Sequence, residues 1–286
     1  MSGRSRPIWN MPTLLFWNLN RRSLDRQVGL LARQHKADIV ILAEAGTAVE
    51  DTLDGLNTEA TSLFSQDPGH SDRLRILSRF PRQSVTPISD RSRVSIRQYA
   101  PPIGAAFLVV AVHLPSKLHQ DQNDQYLACA HLAKDIQRAE QQVHHSRTIV
   151  IGDFNMNPFE PGVVAAGGLH AIMDRRVASK LKRTVKEREY EFFYNPMWAR
   201  LGDLRGRPGG TFFRDSGDTV SFYWNMFDQV LLRPALLDAF DDDGIHVVTE
   251  IAGESLLDRS GKPRERDGSD HLPIVVQLHE IEEVLS

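Results

Sequence analysis

The chain has one cysteine, Cys129, in 286 residues. That excludes an internal disulfide and any metal site built on several thiolates, and the neighbours Ala128 and Ala130 in a helix-like stretch make Cys129 a packing residue. Long apolar runs are also missing: none approaches the roughly 20 residues of a membrane-spanning helix. The N-terminus carries Arg4 and Arg6 ahead of Ile8 and Trp9, but Asn10, Pro12 and Asn18 break up any signal-peptide core. These absences point to a soluble cytoplasmic protein. Neither sign of charge is in excess, since 34 Lys and Arg stand against 37 Asp and Glu for a net charge of -3. Such a molecule does not hold a polyanion by its overall charge, so an anionic substrate must meet a local basic patch. Repeats and low-complexity tracts are absent too. The length suffices for a full core, and large α/β and sandwich folds of this size often form one unit, so a single domain over 1–286 is expected.

What is present is an alternation of strand-like and helix-like segments. Short apolar runs rich in β-branched or aromatic residues predict strands at Leu14–Trp17, Asp38–Leu42, Leu74–Leu77, Phe107–Val112, Thr148–Ile151, Phe227–Leu232, His246–Ile251 and Leu272–Leu278. Helical spacing joins Leu24, Val28 and Leu31 after a candidate N-cap at Ser23. It also joins Tyr126, Leu127, Ala130, Ala133, Ile136, Ala139 and Val143 in a polar stretch that begins near Gln120. A shorter helix is expected after Pro158, with Phe159, Val163 and Val164 turned inward. Residues 179–218 are the least regular part and read as an irregular excursion from the core.

The stretch from Thr148 to Asn155 concentrates the information, because an apolar run stops on Gly152 and then presents Asp153 and Asn155. Backbone that stays extended past Gly152 would aim both side chains at one spot on the sheet rim. The same residues suit an Asx turn, and the stretch taken alone is open to both readings. Its setting favours a site. Asn18, Glu44, His113 and Asp153 close predicted strands, whereas Asp228, Asp270 and His271 open them. In an antiparallel or mixed arrangement, strand ends and strand starts share one rim, so these polar groups would converge there.

Their chemistry follows from residue type. Glu44, Asp153 and Asp270, with the side-chain oxygens of Asn18 and Asn155, offer the all-oxygen coordination that Mg²⁺ or Mn²⁺ prefers. Crowded carboxylates need such a cation, because two unit charges about 4 Å apart cost on the order of 4 kcal/mol at an effective dielectric near 20. His271 needs a carboxylate to fix its tautomer, and Asp228 is the candidate. His113 can donate a hydrogen bond to a phosphoryl oxygen. Ser269 precedes Asp270-His271, but no Gly-x-Ser-x-Gly elbow accompanies it. The remaining histidines, the tandem His144-His145 included, lack metal-ligand spacing.

Six blocks in order carry a family resemblance: Phe16-Trp17-Asn18, Leu42-Ala43-Glu44, Val112-His113-Leu114, Gly152-Asp153-Phe154-Asn155, Phe227-Asp228-Gln229 and Ser269-Asp270-His271-Leu272-Pro273. Together they resemble the signature blocks of the endonuclease/exonuclease/phosphatase superfamily, which includes deoxyribonuclease I, apurinic endonucleases and inositol polyphosphate 5-phosphatases. The resemblance runs from residue 14 to residue 278. It implies an α/β fold, a four-layer α/β/β/α sandwich of two mixed, largely antiparallel sheets flanked by helices. It also implies metal-dependent phosphoester hydrolysis by direct attack of water. On this resemblance Glu44 is the principal metal ligand, with Asn18 and Asp270 beside it, and His271 held by Asp228 is the general base. Asp153 and Asn155 orient the nucleophile and bind the scissile phosphate, and His113 is the phosphate-binding histidine. Two positions depart from the pattern. Ala43 stands where the family commonly has Gln, and the acidic partner of His113 in deoxyribonuclease-like members has to come from Asp67, Asp72 or Asp90, none of which sits in a recognisable block.

Substrate class is less legible. Arg21 and Arg22 follow the Asn18 block and Lys117 lies four residues beyond His113, which makes these three the candidate substrate-binding cations. Lys180, Lys182, Arg183, Lys186 and Arg188, followed by Phe192, Phe193, Tyr194 and Trp198, could track a nucleic-acid backbone and stack on bases. The plainer reading is a solvated helix face alternating with Glu187, Glu189 and Glu191, with aromatics that cap a core. The leading expectation is a Mg²⁺- or Mn²⁺-dependent nuclease acting on DNA or RNA. The alternatives are a phosphatase or phosphodiesterase for a small phosphorylated molecule or lipid head group, and then a non-catalytic binding protein with this fold.

Overall fold

The longest apolar runs are buried on both faces, which is why they read as continuous rather than alternating. In the computed structural model, which describes residues 12–58, 63–117, 121–203, 207–217 and 219–279, strand β1 (Thr13–Asn18) sends Leu14 and Phe16 to one side and Leu15 and Trp17 to the other. The period of two thus divides one run between two cores. Leu14 and Phe16 join the central core between two sheets, with Val109, Ala111, Ile149, Ile151 and Val230 facing them. Leu15 and Trp17 lie under helices α1 (Asp25–Gln34) and α2 (Val49–Asn57), against Val28, Leu31 and Leu56.

The first sheet has six strands. Its order is Ile245–Val247, Ile274–Gln277, β1, β2 (Ile39–Ala43), β4 (Leu74–Ser78) and β3 (Ser65–Gln66). The second has seven: β5 (Val85–Arg91), β6 (Val94–Tyr99), β7 (Phe107–His113), β8 (Thr148–Asp153), then Asp228–Leu232, Phe193–Tyr194 and Ala171–Ile172. Each sheet is mostly antiparallel but contains a central parallel pair, β1 with β2 and β7 with β8. Helix α3 (Gln122–Val143) covers the outer face of the second sheet, packing Cys129, Leu132 and Ile136 on Leu108, Val110 and Val150. The result is the expected four-layer α/β/β/α sandwich. Burial pushes the Cys129 thiol up to about 12, with Glu160 adding to the shift, so it is an inert packing group.

Several local expectations need correction. α1 is capped by Leu24 rather than Ser23, and no side chain bonds the cap. α3 starts from Asp121, whose carboxylate accepts from Asn123 and Asp124 while Asp124 reciprocates, a capping box that places the start just after the predicted point; Gln120 itself lies outside the described residues, as do residues 1–11. The run His246–Ile251 divides, since Ile245–Val247 joins the first sheet and Glu250–Ile251 pairs with Glu254–Ser255. The helix after Pro158 is one turn, Pro161–Val164, and Phe159 stands exposed rather than turned inward. Lys180–Glu191 holds no helix: Lys182–Val185 and Arg188–Glu191 form a hairpin whose turn residues, Lys186 and Glu187, both have positive φ, the geometry of a tight two-residue hairpin turn. Among the described residues no helix is long and apolar enough to cross a membrane.

Candidate active site

Strand register brings the polar ends to one rim. β1 and β2 finish together, with Asn18 opposite Ala43 and Glu44 one residue further on. β7 and β8 also finish together, His113 opposite Asp153, and the strand Asp228–Leu232 starts from the same rim with Asp228 opposite Asp153. Asp270 and His271 lead into Ile274–Gln277, which runs antiparallel to β1. Hydrogen bonds then tie the rim together, the first between the two sheets and the other two within the six-stranded sheet. Asn18 Nδ2 donates to Asp153 Oδ2 at 3.0 Å, Trp17 Nε1 donates to the His271 carbonyl at 2.9 Å, and Ser269 Oγ donates to the Asn18 carbonyl at 2.6 Å. Ser269 is thereby a buried strut rather than a nucleophile. The rims enclose a cleft of about 930 Å³ lined by Asn18, Glu44, His113, Asp153, Asn155, Asp270 and His271, with Arg21 and Lys117 also in its walls.

Backbone chemistry explains how the side chains arrive. At Gly152 a β-carbon would meet the Val112 carbonyl oxygen at 1.9 Å, so only glycine lets β8 lie this close to β7. The strand ends at Asp153, and Asn155 takes a left-handed conformation with φ of 51°, which asparagine tolerates. Asp153 Oδ1 accepts from the Asn155 N–H at 2.8 Å, and Asn155 Nδ2 reaches Asp153 Oδ2 at 3.2 Å. The two therefore share the cleft through an Asx turn, not through strand periodicity. Of the two backbone readings open in the sequence, the Asx turn is the one adopted, and both side chains line the cleft. Glu44 is also left-handed, with φ of 47°, and its carbonyl accepts the Arg21 N–H at 2.9 Å. A non-glycine residue in this region marks a backbone held in place by its surroundings.

The charges are unevenly balanced. His271 Nδ1 is 2.8 Å from Asp228 Oδ2, and its Nε2 lies 4.0 Å from Asp153 Oδ2. Burial pushes the Asp153 carboxyl up and Asp228 adds to the shift, against the pull of His271, the Asn155 N–H and Asn18. Burial would lower His271, but Asp228, Asp153 and Asp270 outweigh it and hold the imidazole up. His113 is driven down to about 4 by burial and by Arg93, His271 and Arg73, so it is neutral at pH 7. Its Nε2 sits 3.3 Å from Glu44 Oε1, and its buried Nδ1 has no partner among the described residues.

This donor set fits a hard divalent cation. Glu44, Asp153 and Asp270 supply carboxylates and Asn18 an amide oxygen around one cleft, oxygen donors of the kind such an ion takes. Among the described residues the tightest grouping of possible ligand atoms is Asp153, Asp228 and His271, within 4.8 Å of one another. Within that group Asp228 and His271 already bond each other.

Some expected residues stand elsewhere. Arg22 does not line the cleft; its Nη2 donates to the Glu265 carbonyl at 3.2 Å. Lys117 lines it but is tied to Glu160 at 2.6 Å. None of Asp67, Asp72 and Asp90 reaches His113: Asp67 bonds Ser78 and Tyr99, Asp72 pairs with His70, and Asp90 pairs with Arg97, so Glu44 takes the position of acidic neighbour. Phe192, Phe193 and Tyr194 are buried and offer no stacking surface. Missed in the sequence were Arg73, Arg93, Arg214 and Phe212, all in the cleft wall. Arg73 precedes β4 and Arg93 sits in the tight turn between β5 and β6, an edge hairpin whose alternating polar residues gave no apolar run to read.

A sequence model of the Endonuclease/Exonuclease/phosphatase family matches residues 15–271. No curated protein matches the chain by sequence. The fold is similar to that of the endonuclease domain of TRAS1, a telomere-specific non-LTR retrotransposon, with a TM-score of 0.50 and 15% identity over 96% of this chain and 100% of that chain. D. rerio TDP2 complexed with single-strand DNA product superposes with a TM-score of 0.53 and 19% identity over 94% of this chain and 99% of that one. The 3′ phosphatase NExo from Neisseria, bound to a product DNA hairpin, gives 0.54 and 14% over 93% and 98%. At these identities the likeness is one of fold.

Proposed function

The chain belongs to the endonuclease/exonuclease/phosphatase family, and from that premise we propose that it is a divalent-metal-dependent phosphodiesterase acting on DNA or RNA. The observation that carries this reading is the Asp228–His271 pair beside Asp153 in a cleft that Arg21, Arg73, Arg93 and Arg214 also line. In a chain of net charge -3, that gathering of guanidinium groups is the local basic patch an anionic polymer requires.

The residues divide the work as follows. His271 Nε2 takes the proton of the attacking water, while Asp228 holds Nδ1–H and steadies the imidazolium that forms. Asp153 and Asn155 orient the water and the scissile phosphate. His113, being neutral, donates from Nε2 to a phosphoryl oxygen as charge builds there. Glu44, Asn18 and Asp270 are the residues we assign to holding Mg²⁺ or Mn²⁺. Bound there, such an ion would offset the carboxylate charge around His271 and would withdraw charge from the phosphate.

Incubation with plasmid, single-stranded DNA, RNA and inositol polyphosphates, each with Mg²⁺, Mn²⁺ or EDTA, tests the reading. Cleavage of a nucleic acid that EDTA abolishes is expected. Turnover confined to the inositol polyphosphates would replace a nuclease with a small-molecule phosphatase, and no turnover at all would remove the enzyme.

A further inference from the structure

Two kinds of side chain in the cleft lining stand apart from the proposed catalytic groups. The first is the cationic pair Arg73 and Arg93. Among the described residues neither forms an ion pair, and Arg93 Nη1 reaches the His113 carbonyl at 3.3 Å. Two guanidinium groups beside the proposed phosphate position, free of carboxylate partners, are suited to an anionic backbone. The second is aromatic. Phe222 is 56% exposed and lines both the cleft and a groove of about 810 Å³. Phe159, 38% exposed, stands edge-on to Phe222 with ring centroids 5.3 Å apart, and Trp198 backs Phe159 at 6.4 Å.

An exposed aromatic side chain propped by two others at the mouth of a polar cleft calls for a flat, π-faced ligand. Inside a duplex each base already has neighbours on both faces, so it meets such a ring only after unstacking. An unpaired base presents its face without that cost. Arg73, Arg93 and Phe222 line one cleft, so a strand held there by its phosphates meets the exposed ring in the same space.

We propose that Phe222, supported by Phe159, is a stacking platform for an unpaired nucleobase, so that the cleft selects single-stranded or frayed nucleic acid over duplex. The inference rests on the phosphodiesterase reading and narrows its substrate class. Phe222 contributes no group to the chemical step; it is a specificity residue that acts through binding.

The test separates binding from turnover. Fluorescence anisotropy in EDTA measures the affinity of the protein for a labelled oligothymidylate, a base-free sugar–phosphate ladder of the same length, and a blunt duplex. The wild type should favour the oligothymidylate over the other two by about tenfold, the size of one base–aromatic stack. Phe222→Ala should erase that preference while leaving affinity for the base-free ladder unchanged, and Phe222→Trp should retain it. Equal weakening of both single-stranded ligands by Phe222→Ala, or no preference in the wild type, would overturn the platform. So would concentration-dependent dimerisation lost in Phe222→Ala, which would make the aromatic cluster a contact between two copies. If metal-dependent turnover is absent while the base preference persists, the phosphodiesterase reading fails and the platform stands.

Discussion

Asp228 and His271 hydrogen-bond at 2.8 Å although they come from different sheets, Asp228 opening a strand of the seven-stranded sheet and His271 leading into one of the six-stranded sheet. The pair therefore exists only when the two sheets are packed. Its register is fixed from both sides, by the Trp17 indole on the His271 carbonyl and by the Thr211 hydroxyl, which accepts the Asp228 N–H at 3.1 Å. Asp228→Asn keeps the shape but no longer favours the Nδ1–H tautomer with a charge. We expect kcat to fall by about 10²- to 10⁴-fold with the far-UV spectrum unchanged. A loss under threefold would mean that Asp228 does not orient the base.

Glu44 faces the cleft with one oxygen near His113 and the other 3.5 Å from Arg21 Nε. Glu44→Ala should lower activity by at least about a hundredfold at low metal concentration and recover part of it as Mn²⁺ is raised, because a lost ligand weakens affinity more than chemistry. Calorimetric titration with Mn²⁺ should show weaker binding in the variant. Unchanged Mn²⁺ affinity would move Glu44 out of the metal site.

Gly152 supports the site from beneath. Alanine there drives its β-carbon into the Val112 carbonyl, 1.9 Å away, and the parallel β7/β8 pair has to separate. Urea unfolding should reveal a loss of about 1–3 kcal/mol, typical of overpacking. Retained stability would show that β8 shifts more freely than its register implies.

Acid should weaken the fold through His145. Burial, helped by Arg147, lowers this imidazole to about 4, and its Nδ1 accepts the Arg147 N–H at 3.3 Å. The folded state keeps His145 neutral while the unfolded chain protonates near 6.5, so its contribution is present above pH 6.5 and is lost as pH falls toward 4. The residue is only partly buried, so the effect is modest. Stability of His145→Gln measured by urea unfolding from pH 7 to pH 4.5 should decline less than that of the wild type. Parallel curves would dismiss His145 as a source of the acid sensitivity.

Arg73 and Arg93 should govern salt dependence. Replacing either with alanine should weaken binding of a single-stranded oligonucleotide across all sequences and reduce the slope of log K against log salt by about 0.7. An unaltered slope would take the backbone path away from this pair.

Much of this arrangement was legible because the central strands carry their polar residues at their ends. Asn18, Glu44, His113 and Asp153 each terminate an unbroken apolar run, and a run buried on both faces is the strongest signal a strand leaves in a sequence. The edge hairpin of β5 and β6 leaves no such signal. Pro87, Asp90 and Arg97 alternate with its apolar positions, so Arg93 in its turn went unread. The hairpin at Lys182–Glu191 resembled a charged helix face because its tight turn at Lys186-Glu187 lacks the Asn-Gly signature that usually marks such turns. Helical spacing places Phe159 in a core, but the helix begins two residues later and leaves the ring exposed. Distance in sequence hid the other partners. Nothing near His113 marked Glu44 as its acidic neighbour, since β2 and β7 belong to different sheets.

The most direct test of the central claim is initial-rate hydrolysis of a single-stranded oligonucleotide across a Mn²⁺ titration, with wild type and His271→Ala side by side. The account predicts a wild-type rate that rises with Mn²⁺ and vanishes in EDTA, and a His271→Ala rate lower by about a thousandfold at every metal concentration. Hydrolysis undiminished by EDTA, or a His271→Ala variant that matches the wild type, would contradict it.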